Sequence, residues 1–171
     1  VSYAGVRRAA LFTSCLLASS LAASARAYED RIDLGVEAGY AVRSDAPEHG
    51  FVAGLDVGFG LGDAWALRLD AAYAFHPDTL HRVRGAAELL YVIDIVQVVP
   101  FAGLGIGALV SIPGADARAD LEVHAILGLD VLVDRGVVLG IALRPVLVPT
   151  WLEADPFHLA VTARAGVLFD R

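Results

Sequence analysis

Cysteine is all but missing from this chain. Cys15 is the only one, and it sits in an N-terminal stretch that reads as a leader. A disulfide framework is thereby excluded as the support of the folded domain. Lysine is absent altogether, and every basic side chain is arginine. Long apolar runs are missing too. Beyond residue 30 no stretch reaches the ~18 consecutive apolar residues that a spanning helix needs, although 57% of the chain is hydrophobic and its mean hydropathy is +0.61. Dispersed rather than concentrated, this apolar excess argues against a helical membrane protein and suits strands whose greasy residues alternate with polar ones. Serine is scarce as well: past residue 27 only Ser44 and Ser111 remain, both in expected loops.

Residues 1–27 have the layout of a cleavable signal peptide. Arg7 and Arg8 form a charged n-region, residues 9–23 a mostly apolar h-region, and Ala25-Arg26-Ala27 a small-x-small cleavage site. Cys15 follows Phe12-Thr13-Ser14, which does not match the Leu-x-small pattern of lipoprotein processing. The expected division is a signal peptide at 1–27 and a folded domain at 28–171. After cleavage ten arginines would face twenty carboxylates, a net charge of −10 with histidine neutral. So acidic a domain is a poor partner for nucleic acid, whose phosphates attract basic surfaces.

What the mature chain has in abundance is period-two alternation. Eight stretches show it, at about 31–43, 51–61, 65–75, 83–94, 98–110, 120–134, 137–148 and 156–169. Each has the length of a membrane-crossing strand. Because successive strand side chains point to opposite faces, one parity collects Asp33, Glu37, Arg43, Asp56, Arg68, Asp70, Arg84, Glu88, Glu122, His124, Asp130, Arg144, His158 and Arg164. The other parity carries almost no charge and holds residues such as Leu55, Leu69, Leu104, Ile106, Leu127, Ile141 and Val161.

Connections are expected to alternate in length. Residues 61–64, 94–97 and 134–136 read as tight turns, and Ser44 to Gly50, His76 to Arg82, Ser111 to Ala119 and Pro149 to Asp155 as longer polar links. Aromatic residues fall at two heights, Phe59, Trp65, Tyr91 and Phe169 near the tight turns and Phe51, Phe75, Trp151 and Phe157 near the longer links. Such girdles suit the headgroup zones of a bilayer.

Alternation alone also fits a soluble lipocalin-like barrel with its apolar face inward around a small molecule. The charged parity, however, is also the glycine parity, including Gly35, Gly105, Gly128 and Gly140. Small residues between ions suit a crowded lumen, whereas a water-facing strand surface gains nothing from them.

Pro100-Phe101-Ala102-Gly103-Leu104-Gly105-Ile106-Gly107 resembles the Pro-aromatic-x-Gly-x-Gly-x-Gly strand of small outer-membrane barrels of the OmpA, OmpX and OmpW type. The resemblance implies an all-β, eight-stranded antiparallel up-and-down transmembrane barrel. It further implies a monomer in outer-membrane lipid, inserted by the barrel-assembly machinery; the expected alternation of link lengths itself puts both termini and the short turns on the periplasmic side. Such barrels often end on an aromatic residue; here Phe169 has the matching parity and is followed by Asp170 and Arg171.

No constellation marks an enzyme, and no catalytic, cofactor-binding or metal-ligating residue is assigned. No His-x-Ser pair follows the lipid A deacylase pattern, and Thr162 reads as a structural hydroxyl. His124 and His158 with Glu122 and Asp130 lack a ligand spacing, as do His76 and His81. The fourteen ionisable residues read instead as a structural network of compensating charges that fills the lumen and leaves no pore.

Overall fold

The computed structural model describes residues 28, 30–43, 49–76, 80–93, 97–113, 117–134, 136–151 and 156–170. The expected leader at 1–27, Ser44 and the side chain of Arg43 lie outside the described residues. Eight strands follow in chain order: β1 (Arg31–Arg43), β2 (His49–Gly60), β3 (Trp65–Phe75), β4 (Leu80–Val92), β5 (Val98–Pro113), β6 (Arg118–Asp134), β7 (Val137–Leu147) and β8 (Phe157–Asp170). Each pairs antiparallel with the next, and β8 returns to pair with β1 and close the barrel. Closure gives every strand two hydrogen-bonded neighbours and leaves no open edge.

Register puts the two parities where the alternation separates them. Opposite Glu37 of β1 stand Gly54 of β2 and Arg164 of β8, all facing inward. Opposite Leu34 stand Val57 and Val167, facing outward. At the tight turn before β3, Gly62 takes φ 110°, which an L side chain rarely adopts, and the Leu61 amide donates to the Trp65 carbonyl at 2.8 Å. In the β6–β7 ladder the pairing is interrupted between His124–Val146 and Leu127–Leu143, where Pro145 brings no amide hydrogen.

The expected alternation of long and short links does not appear. Strand pairing continues through His49, Leu80 to Arg82, Ser111 to Pro113 and Arg118, so the links contract to 44–48, 76–79 and 114–117. At the opposite rim they are 61–64, 93–97 and 135–136, and only 148–156, with a short 3-10 turn at Pro149–Trp151, is long. The cause is chemical. Arg82 and Ser111 are polar yet buried, facing the lumen, and a polar lumen residue near a strand end looks like a loop residue in sequence.

Ions do not fill the whole interior. Toward the rim of the 61–64, 93–97 and 135–136 turns lies an apolar cluster built on Leu90, Val99, Phe101, Ile126, Val138 and Leu168, capped by Tyr28. Nearer the other rim a smaller apolar cluster joins Leu109, Val146 and Val148. Charged side chains occupy the space between.

Candidate functional site

The lumen ions form two tiers. In the tier beside the apolar cluster, Arg164 of β8 donates from Nε to both oxygens of Asp56 at 3.0 Å and from Nη2 to Asp33 and Asp56. Arg68 of β3 approaches Asp56 and Asp130, each at 3.7 Å, and lays its guanidinium 5.0 Å from the centre of the Phe101 ring. Tyr28, ahead of β1, donates its hydroxyl to Asp130 at 2.6 Å. Desolvation by burial, followed by the charges of Asp130 and Asp33, raises the Tyr28 phenol well above its ordinary value near 10.0.

In the middle tier Arg144 of β7 reaches across the lumen. Its Nε donates to Glu88 Oε1 at 2.9 Å and its Nη1 to Glu37 Oε2 at 2.7 Å. Thr162 accepts from the same Nη1 at 3.2 Å and donates to Glu37 at 3.1 Å, so its proton and one lone pair are engaged within the network. Arg84 grips Asp70 Oδ1 from Nε and Nη2, at 3.1 and 2.7 Å, and stands 3.7 Å from Glu122. His124 donates from Nε2 to Glu88 Oε1 at 3.0 Å, and its Nδ1 lies 3.4 Å from Glu122 Oε1.

Glycine provides the room. A Cβ at Gly35 would collide with Arg164 and Asp56, one at Gly105 with the His124 ring, and one at Gly128 with Phe101. The coincidence of the glycine face with the charged face thus has a steric cause.

Twelve of the fourteen residues assigned to the lumen network therefore meet in these tiers. His158 does not: it lies nearer the far rim, where Arg82 Nη1 donates to its Nδ1 at 3.2 Å. Nor do His124, Glu122, His158 and Asp130 converge, since Asp130 belongs to the tier with Tyr28. His76 is buried inside the barrel, whereas His81 stacks outside on Tyr73. Arg82, His76 and Asp120 are lumen residues that the sequence reading missed. Arg82 shares the parity of Arg84, and Asp120 that of Glu122, so the signal was present. Above the middle tier a cavity of roughly 70 Å³ is lined by His76, Arg82, Arg84, Glu122, His158 and apolar side chains including Leu109 and Val146.

The outer wall is apolar. Leu104 is 72% and Phe51 70% exposed, and Leu55, Ile106, Leu127, Ile141 and Val161 join them. Aromatic side chains band it at both rims. Tyr40, Phe51 and Phe75 stand in one cross-strand row that His81 extends, and Trp65 packs edge-on against Tyr91 at the other rim. Phe101, the aromatic of the glycine-rich strand, points inward instead.

No protein-family model matches this sequence, and no curated protein matches it. Solved structures do. The chain is similar to Neisserial surface protein A (NspA) at 14% identity and a TM-score of 0.65, over 82% of this chain and 96% of that one. It is similar to the N-terminal β-barrel domain of Pseudomonas aeruginosa OprF at 17% identity and a TM-score of 0.57, over 82% and 98%. The outer membrane enzyme PagL matches at 15% identity and a TM-score of 0.54, over 79% and 98%. At such identities the likeness concerns the fold, which is that of the small eight-stranded outer-membrane barrels.

Proposed function

We propose that this protein is an integral outer-membrane barrel of structural or surface-interaction type, closed to diffusion. One observation carries the reading: an apolar wall surrounds a lumen in which Glu37, Glu88, Arg144 and their neighbours are almost completely buried. Only a surrounding solvent of hydrocarbon makes that inversion favourable, because exposing so much apolar surface to water forfeits about 25 cal/mol per Å². In a lipocalin-like barrel the two faces would be exchanged.

The rim carrying residues 61–64, 93–97 and 135–136, with both chain ends, would face the periplasm, and the rim bearing 148–156 the exterior. Residues 1–27 would be removed on export and the barrel inserted by the assembly machinery, remaining a monomer in lipid. The apolar cluster and the two ionic tiers support the absence of a pore, since an eight-stranded barrel is only wide enough for its own side chains. PagL demonstrates that this fold can host an enzyme. Here the Thr162 hydroxyl is committed to Glu37 and Arg144, which favours a structural over a catalytic lumen.

Fractionation tests this reading. The protein should partition with outer membranes, migrate faster unheated than boiled on a denaturing gel, and give no step conductance in a planar bilayer. A protein that stays in solution without detergent would refute the membrane assignment, and stable conductance steps would refute the closed lumen.

A further inference from the structure

Two features of the middle tier exceed what packing requires. The first is charge. Arg84 and Arg144 face Glu37, Asp70, Glu88 and Glu122, which leaves two negative charges over when the carboxylates are ionised and His124 is neutral. Uncompensated charge in so buried a space costs several kcal/mol per ion. The second is a set of idle lone pairs. Asp70 Oδ2 and Glu88 Oε2 accept no hydrogen bond, although both side chains are wholly buried.

These atoms belong to residues that already converge. One ligand atom from each of Asp70, Glu88 and His124 lies within 4.8 Å of the other two. Donors around a tetrahedral ion at ~2.1 Å stand ~3.4 Å apart, so a small contraction closes the set. Their orientation is fixed from behind. Arg84 holds Asp70 through Oδ1 and Arg144 holds Glu88 through Oε1, while His124 turns Nε2 to Glu88 at 3.0 Å and Nδ1 to Glu122 at 3.4 Å. Each carboxylate keeps one free oxygen, Asp70 Oδ2 and Glu88 Oε2, and a metal on His124 Nε2 would take the place of the proton shared with Glu88 while Nδ1–H turns to Glu122. Outer hydrogen bonds of this kind orient metal ligands and select the imidazole tautomer.

We propose that Asp70, Glu88 and His124 bind one divalent cation of the zinc class inside the lumen. The imidazole favours zinc or a neighbouring first-row metal over magnesium or calcium, which prefer all-oxygen sites. A dipositive ion also matches the excess charge of the tier. Glu122, 3.4 Å from His124 Nδ1, would accept the Nδ1–H of the metal-bound imidazole, and it lines the cavity above, which provides the entry route. Gly105 is part of the site because only its missing side chain admits the His124 ring.

The test uses tag-free full-length protein folded in detergent, stripped with EDTA and titrated with ZnCl2, with bound metal counted by mass spectrometry. One zinc per chain and a raised unfolding temperature are expected. Losing a ligand should weaken binding at least about 100-fold, since outer-shell changes alone cost 10–100-fold; Asp70→Asn and His124→Gln should both show this, whereas His81→Ala should not. Should those variants misfold, X-ray absorption of the zinc-loaded wild type decides, with a single imidazole among oxygen ligands supporting the site. No uptake at micromolar zinc, unchanged binding in Asp70→Asn and His124→Gln, or a shell with two or more imidazoles would overturn it.

Discussion

Arg144 on β7 and Glu88 on β4 meet at 2.9 Å across the barrel although 56 residues separate them in the chain. Each is at least 99% buried in its side chain. The pair ties opposite walls of the lumen, and Glu37 and His124 are fastened to its two ends.

Replacing Arg144 with Met should therefore strand two buried carboxylates and cost about 3–5 kcal/mol, the usual penalty for breaking a buried pair from one side. Equilibrium urea unfolding in detergent measures it. The double variant Arg144→Met with Glu88→Gln should lose clearly less than the sum of the two single losses, because neither retains the full orphaned charge. Additive losses would mean that the contact contributes nothing specific.

On the outer wall the sign of a substitution reads the solvent. Leu104, 72% exposed near the middle of β5, should tolerate Arg poorly if hydrocarbon surrounds it, with a loss of about 2–4 kcal/mol at the bilayer midplane. In water the same change would be nearly neutral and would raise solubility. Folding yield into lipid vesicles distinguishes the two.

Gly105→Ala should push a methyl group into the His124 ring. Overpacking typically costs about 1–3 kcal/mol, and the displaced imidazole should also loosen its hydrogen bond to Glu88. Thermal unfolding followed by the gel mobility shift would register the loss. An Ala at Gly85, where no atom lies within 4 Å of the added carbon, should be neutral by the same assay.

Tyr28 gives a pH dependence with a definite sign. Burial and the nearby Asp130 raise its phenol above 10.0 in the folded state, so its neutral form is favoured there. The resulting stability is fully present below the unfolded value of about 10 and is lost as pH rises through the folded one. Wild type should lose stability above pH 10 faster than Tyr28→Phe. At neutral pH the variant should be weaker by about 1–3 kcal/mol, having left Asp130 without its donor. Parallel alkaline titrations of unfolding for the two proteins check both statements.

Strand number and strand faces were legible because side-chain alternation is local. Asp33, Glu37 and Arg164 declare their face through their immediate neighbours, whatever the rest of the chain does. The ends of β4, β5 and β6 were not legible. Arg82 and Ser111 resemble loop residues until a neighbouring strand and a closed wall bury them, and the expected alternation of link lengths failed with them. The apolar cluster around Phe101 was hidden for the opposite reason. Its members share the inner parity with the ions, and only their height along the strands sorts the two.

The sequence by itself determined an alternating eight-strand chain with its charges and glycines on one face and its aliphatic residues on the other. Tertiary structure decided that the charged face turns inward, because alternation is the same for either inversion. It also decided who pairs with whom. Glu37 meets Thr162 and Arg144 more than 100 residues away because barrel closure and register bring β1, β7 and β8 together. Charge balance within a tier depends on that height-by-height sorting, which no linear pattern encodes.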